Sequence, residues 1–262
     1  MNIPSWIQYF ERNRSNFDEP PLAPDASPLP DGLRLPLAAS LAVFQLGETG
    51  GGTRLMRYVR RTLRHQPEAL EGYDLAVRLF IAEEHRHAQL LEKLVTYLGG
   101  SLLQRHWSNT IFRRLRTLFG MEFNIQILLT AELIAEAYYG LIYRKTTDEE
   151  VRSCCHKILQ DEMRHIAFHT SFFQQRLARM PRPLRKIWRV GFRACHAITA
   201  TIVAWDHRRL LKSLGTGQGE FVRLTLKAGQ RFLRRLDSRS SSWQPDISLR
   251  SCQKASQLAT HR

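Results

Sequence analysis

Apolar residues recur every three or four positions through most of the chain, the spacing of one helix face after another. From Pro4 to Arg14, Trp6, Ile7 and Phe10 share a side of a short amphipathic helix. Pro20, Pro21, Pro24, Pro28, Pro30 and Pro36 then crowd the stretch from Glu19 to Pro36, which reads as an extended strap because proline lacks the helical N–H donor. The period returns after Pro36. It predicts a long helix over Leu37–His65 and a second over Pro67–Leu98, stopped by Gly99-Gly100. A short helix is expected near Asn109–Phe119 and a third long one over Met121–Lys145. Thr146-Thr147-Asp148-Glu149-Glu150 reads as a turn and N-cap with acids in the first turn, opening a fourth long helix that runs to Met180. After Pro181-Arg182-Pro183, a fifth helix is expected over Leu184–Leu214 and a sixth over Glu220–Leu236. Strand-like alternation is missing, so the predicted class is all-α. The expected divisions are 1–36 (helix and strap), 37–180 (four-helix bundle), 181–237 (added helices) and 238–262 (a polar, Ser-rich tail).

Two segments break the polar–apolar rule in the same way. Glu83-Glu84-His85-Arg86-His87 and Asp161-Glu162-Met163-Arg164-His165 both read acid-Glu-x-Arg-His, each deep inside a predicted helix. Glu84 and His87, like Glu162 and His165, are one helical turn apart and share a face. Around them stand Phe80, Ile81, Ala88 and Leu91 in one case, and Ile158, Leu159 and Ile166 in the other. Glu48 and Glu132 sit in comparably apolar runs on the helices that precede each motif, and Glu136 is one turn beyond Glu132 on the same face. Buried carboxylates are costly unless paired or bound to metal. Four of them converging with two histidines call for cations, and mixed Glu/His ligation suits iron or manganese.

One Glu from each of two helices and Glu-x-x-His from each of two others is the ligand pattern of ferritin-like di-metal bundles. Over about residues 37–180 the sequence resembles that superfamily. The resemblance implies two iron ions, or a manganese–iron pair, held by Glu48, Glu84, His87, Glu132, Glu162 and His165. The gaps from Glu48 to the first motif and from Glu132 to the second are similar to those of p-aminobenzoate N-oxygenases, which favours Glu132 over Glu136 as the third-helix ligand. That family places a further histidine one turn before the last Glu; here the position is Ile158, a departure that weighs against amine N-oxygenation. His169, one turn past His165, is either packed or hydrogen-bonded close to the ligands. Because a ligating histidine usually donates its second N–H to a carboxylate, Asp161 is expected to support His87 and Glu83 to support His165 across the bundle. Arg86 and Arg164 either pair with these acids or face solvent.

Fold does not select the reaction. Glu48 is followed by Thr49-Gly50-Gly51-Gly52, which reads either as close helix contact or as an opened wall beside the metals, with Gln45 and Thr53 nearby. Glu136, near the metals, and Tyr139, on the Glu132 face beside Tyr138 and Tyr143, are candidate catalytic residues. The leading expectation is a di-iron oxidoreductase that uses O₂ to oxidise a small or carrier-bound organic substrate. With no dinucleotide fingerprint or iron–sulfur cysteine set, its electrons are expected from a separate reductase or ferredoxin. The alternatives are iron oxidation or peroxide handling without an organic substrate, and a tRNA-modifying hydroxylase.

Charge adds a separate observation. The chain of 262 residues has 39 Lys+Arg against 24 Asp+Glu, a net of +15. Residues 1–181 are close to neutral and 182–262 strongly basic, which points to an acidic protein, an anionic surface or nucleic acid docking on the last third. On the fifth helix Ile187, Trp188, Val190, Ile198, Ile202, Val203 and Trp205 are expected to pack on the bundle, with Arg185, Lys186, Arg189 and Arg193 outward. Adjacent Cys154 and Cys155, with isolated Cys195 and Cys252, suggest reduced thiols. The absence of a signal-like N-terminus and of an apolar run of about eighteen residues gives an expected cytoplasmic location, with a homodimer among the expected assemblies.

Overall fold

A computed structural model describes residues 1–17, 19–20, 22, 27–50, 52–65, 71–115 and 120–237. All regular structure among them is helical: α1 (Ile3–Ser15), α2 (Asp31–Glu48), α3 (Gly52–His65), α4 (Tyr73–Tyr97), α5 (Trp107–Leu115), α6 (Met121–Lys145), α7 (Glu149–Ala178), α8 (Arg182–Asp206), α9 (Arg208–Ser213) and α10 (Gln218–Asp237). The prolines at 21 and 24, Gly51, the expected helix start at Pro67, the end of the expected short helix at 119, and the tail with Cys252 lie outside the described residues.

The centre is a four-helix bundle. α2 packs along α4, α6 along α7, and α4 closes on α7. α6 is buried almost all round, from Ile125 and Leu129 to Tyr138, Tyr139 and Ile142. By length and hydropathy it could span a membrane, yet most of its apolar surface is covered by the other helices, as expected of the central helix of a packed bundle. The start of α7 is fixed by Asp148, whose carboxylate accepts the Val151 N–H at 3.0 Å and also the Ser27 hydroxyl. Gly99, at φ 70°, takes the left-handed conformation just beyond α4.

Four expectations are corrected. α2 starts at Asp31, so the strap is shorter and Pro36 lies inside a helix. Its missing N–H removes one donor, and the buried row Leu37, Ala38, Leu41 and Ala42 holds the helix together regardless. The helix expected to run through to His65 instead ends at Glu48 and restarts at Gly52, where the glycine run removes about 1 kcal/mol of helix propensity per residue relative to Ala. The fifth helix is likewise interrupted at His207, between α8 and α9. Its inward face is also rotated from the expected one: Phe192, His196, Thr199, Ala200, Val203 and Ala204 are buried, whereas Ile187, Val190, Ile198 and Trp205 are more than half exposed. The small residues and His196 face inward because α10 approaches closely; a Cβ on Gly229 would lie 2.7 Å from the His196 ring.

The N-terminal helix belongs to the core. Trp6 and Phe10 are buried, and α1 packs on α4. Trp6 and Phe10 meet Phe168 edge-on at 5.4 and 5.3 Å, which seats α1 beside the stretch of α7 that carries its charged motif.

Candidate metal centre

The two Glu-x-x-His motifs face each other across the bundle. Donor atoms of Glu84, His87, Glu162 and His165 all lie within 4.8 Å of one another. Glu162 Oε1 is 3.4 Å from His87 Nδ1, and its Oε2 is 3.7 Å from His165 Nδ1. His165 Nδ1 is also 2.8 Å from Glu84 Oε1. The carboxylate of Glu162 thus lies between two imidazoles that both turn Nδ1 inward.

The other nitrogens face away from the centre, each onto a carboxylate from the opposite motif. His165 Nε2 is 2.9 Å from Glu83 Oε2, and His87 Nε2 is 3.2 Å from Asp161 Oδ2. With a proton on Nε2, each imidazole donates to its carboxylate and leaves an Nδ1 lone pair aimed inward. The supporting acids are themselves held. Glu83 accepts from Arg86 Nη2 at 3.2 Å, and Asp161 from Lys157 Nζ at 3.0 Å. Asn13, on α1, donates from one amide nitrogen to both Glu83 and Asp161. Arg164 lies over the Tyr9 ring. Asn13 and Lys157 were not singled out in the sequence: Lys157 has a readable i,i+4 relation to Asp161, whereas Asn13 is about seventy residues from its nearest partner and carries no local signal.

The two lone-helix glutamates join from either side. Glu48, at the end of α2, faces Glu84, and burial followed by repulsion from Glu84 pushes its pKa well above the usual range. Glu132, on α6, is buried, and its Oε1 lies 2.9 Å from His169 Nε2. Burial raises the Glu132 pKa against the pull of His169. Glu136 does not reach the cluster: its carboxylate turns to Arg231 on α10 at 2.5 Å. Although Glu132 and Glu136 share a face, that face is wide enough for α10 to capture the second of them. Tyr139 is fully buried with no hydrogen-bond partner for its hydroxyl, and burial followed by Glu48 and Glu162 holds its pKa well above normal. Tyr138 instead bonds Ser40 at 2.6 Å.

Whether these residues fit metal ions is decided by the atoms they leave unsatisfied. His87 Nδ1, Glu132 Oε2 and Glu162 Oε2 are buried without a hydrogen-bond partner, and Glu84 Oε1 and His165 Nδ1, equally buried, have only each other at 2.8 Å. Buried donor atoms from three helices that converge on one place with so few partners are costly, and a cation between them would satisfy them together. In the absence of cations, protons substitute. Burial lowers the pKa of both histidines, but the carboxylates outweigh it, raising His87 to about 10 and His165 well above its ordinary value. The donor set of four carboxylates and two imidazoles suits two divalent first-row ions.

The cluster forms one wall of a cavity of about 150 Å³. Glu48, Glu84, Glu132 and Glu162 stand on that wall, and the rest is mainly apolar, including Phe44, Leu55, Ile127 and Leu128. The glycine run lies here too: Gly47, Gly50 and Gly52 contribute backbone without bulk, and a Cβ on Gly52 would lie 2.6 Å from Ile81 Cγ2. Close approach to α4 and an open wall therefore coexist at the same segment. Ile158, one turn before Glu162, is fully buried and offers no donor.

The family described as p-aminobenzoate N-oxygenase AurF matches residues 53–241. No curated protein and no solved structure matches the chain significantly.

Proposed function

This chain belongs to the p-aminobenzoate N-oxygenase family, and we propose on that footing that it is a non-haem di-iron oxygenase that uses O₂ to oxidise an aromatic amine or a similarly sized apolar group. The family implies an aromatic amine as substrate; the identity of the group attached to it is the finer part of the proposal. The observation that carries the reading is the convergence of orphaned carboxylate and Nδ1 atoms on the wall of an apolar cavity.

In this reading Glu48, Glu84, His87, Glu132, Glu162 and His165 hold the two ions. When bound, the ions supply the electrons that reduce O₂ and the oxidising power that is passed to the substrate. The chain's own residues do the rest. Asp161 and Glu83 keep the Nε2 protons of His87 and His165 in place, so that each Nδ1 faces the metals as a lone pair. Arg86 and Lys157 balance the charge of those two acids, and Asn13 donates a hydrogen bond to both. Phe44, Ile127 and Leu128 exclude water, which strengthens electrostatic interactions at the site. Tyr139 retains its phenolic proton, because burial and then the charges of Glu48 and Glu162 hold its pKa well above normal. His169 positions Glu132. Electrons enter from a separate donor such as a reductase or ferredoxin, and the protein works in the cytoplasm.

The apolar cavity favours an oxygenase over iron storage, for which an acidic channel would be the expected route. The test is single-turnover oxidation. Iron-loaded, reduced protein mixed with O₂ and 4-aminobenzoate is expected to give a product heavier by oxygen, with the label from ¹⁸O₂ recovered in it. O₂ consumption without labelled product from any aromatic amine would turn the reading toward iron oxidation alone.

A further inference from the structure

The surface outside the cavity carries a second feature. α3 holds Arg54, Arg57, Arg60, Arg61 and Arg64 and no acid. Leu55, Met56 and Val59 are buried against the bundle, so the arginines are turned outward. Arg57, Arg60, Arg61 and Arg64, with Arg78 from α4, line a groove of about 1040 Å³. Arg78 is paired with Asp74, and no carboxylate lines the groove among the described residues. Solvated helix faces usually interleave the two signs at i,i+4, whereas here like charges repeat at that spacing and repel. A multiply charged anion relieves that repulsion, and guanidinium forks match phosphate oxygens two at a time.

The groove and the metal-facing cavity adjoin. Gly50, Gly52, Ile81, His85 and Arg113 line both. The two spaces differ in size and chemistry. An apolar cavity of about 150 Å³ accepts a group the size of benzene. The groove is several times larger and positive, enough for a nucleotide-sized polyanion.

We propose that the substrate is a two-part molecule: an apolar ring or short acyl group that enters the metal-facing cavity past Gly50 and Gly52, joined to a phosphate-bearing handle of nucleotide size held by the α3 arginines. The proposal rests on the oxygenase reading for the fate of the ring, while the groove itself is argued from charge and shape alone. Free small acids such as 4-aminobenzoate then fill only the inner half of the site and bind weakly.

The test is calorimetric titration of the iron-loaded full chain with benzoate, coenzyme A and benzoyl-coenzyme A. The expected result is that benzoyl-coenzyme A binds roughly tenfold or more tightly than either half, and that its affinity falls between about 50 and about 300 mM salt. An Arg57→Ala/Arg61→Ala variant is expected to lose roughly tenfold or more of that affinity, with metal content and affinity for benzoate unchanged. Both side chains are exposed, so the variant is expected to melt with the wild type. The Arg57→Lys/Arg61→Lys variant keeps the charge but not the fork and is expected to fall between. Equal affinity for benzoate and benzoyl-coenzyme A, or full affinity in a folded Ala variant, would overturn the proposal. So would tight binding of a single-stranded RNA that benzoyl-coenzyme A does not displace. Metal content separates the two readings: a chain that binds the thioester through Arg57 and Arg61 but holds no iron keeps the groove and loses the oxygenase, and a two-iron chain indifferent to the thioester does the reverse.

Discussion

His165 on α7 donates toward Glu83 on α4 across 2.9 Å, and the relation is reciprocated by His87 on α4 and Asp161 on α7. Each motif therefore carries candidate ligands for the centre and a support for the other motif's histidine. This reciprocity explains why an acid stands immediately before the Glu in both segments. Adjacent helical residues diverge by about 100°, so Glu84 turns into the cluster while Glu83 turns to His165 Nε2 on the neighbouring helix. Glu83→Gln keeps an acceptor but removes the charge, and is expected to weaken iron binding about 10- to 100-fold without loss of helix content. Competition with a coloured chelator measures it, and undiminished affinity would show that Glu83 merely packs.

Glu132 and Glu136 differ in a way that substitution can separate. Glu132→Ala is expected to drop the iron content of the isolated protein, because it removes a carboxylate whose inner oxygen has no other partner. Glu136→Ala removes only a part-exposed pair with Arg231, and is expected to cost about 1 kcal/mol or less with the iron retained. Elemental analysis and urea unfolding of the two variants give the comparison. Iron loss on Glu136→Ala with none on Glu132→Ala would reverse the assignment.

Gly52 has no room for a side chain. Its Cβ would meet the branched Ile81 side chain at 2.6 Å, and Ile81 lines both the cavity and the groove. Gly52→Val is expected to destabilise the fold by about 1–3 kcal/mol through overpacking. By pushing Ile81 aside it also narrows the mouth, so single-turnover oxidation should slow more than the stability loss explains. A variant as stable and as fast as the wild type would mean that α3 moves away from α4 at little cost.

His207, which lines the same cavity but lies outside the carboxylate–histidine cluster, gives a pH dependence of its own. Burial, the largest cause, lowers its pKa from 6.5 to about 4, with Asp206 opposing and His106 adding. The folded state therefore holds His207 neutral, hydrogen-bonded to Ser40 through Nδ1 at 2.6 Å. Between the folded value and the unfolded one, the unfolded chain binds more protons, so stability falls as pH drops through that window. The contribution is full above the unfolded pKa and is lost by the folded one, amounting to roughly 3 kcal/mol. Urea unfolding at about pH 7 and about pH 4 should show a smaller acid loss in His207→Gln than in the wild type by about that amount. An identical loss in both would remove His207 as a cause.

Most of this architecture was legible in the sequence because the bundle is built from long amphipathic runs with clear stops. Met121–Lys145 appears at its predicted bounds, and the paired motifs are readable because the chemistry needs Glu and His on one helical face. The misreadings have physical sources. Pro36 signals a helix start only where no buried row already spans it. On α8, Ile187, Val190 and Ile198 form one apolar row and Phe192, His196 and Ala200 another; which faces inward depends on how closely α10 can approach, a tertiary property. Asn13 had no local pattern to announce it. The charge sum also misled. Residues 1–181 are near neutral in total, but that sum hides two local features: the acids gathered at the candidate metal centre, and the α3 arginines lining a groove with no carboxylate among the described residues.

The most direct test of the central claim is the metal content of protein expressed in iron-rich medium, measured by elemental analysis alongside Glu162→Ala. The account predicts about two irons per wild-type chain, because four carboxylates and two histidines make a two-ion donor set, with most of that iron lost when Glu162, which lies between His87 and His165, is removed. A wild-type chain with no iron, or one whose iron content Glu162→Ala leaves unchanged, would contradict it.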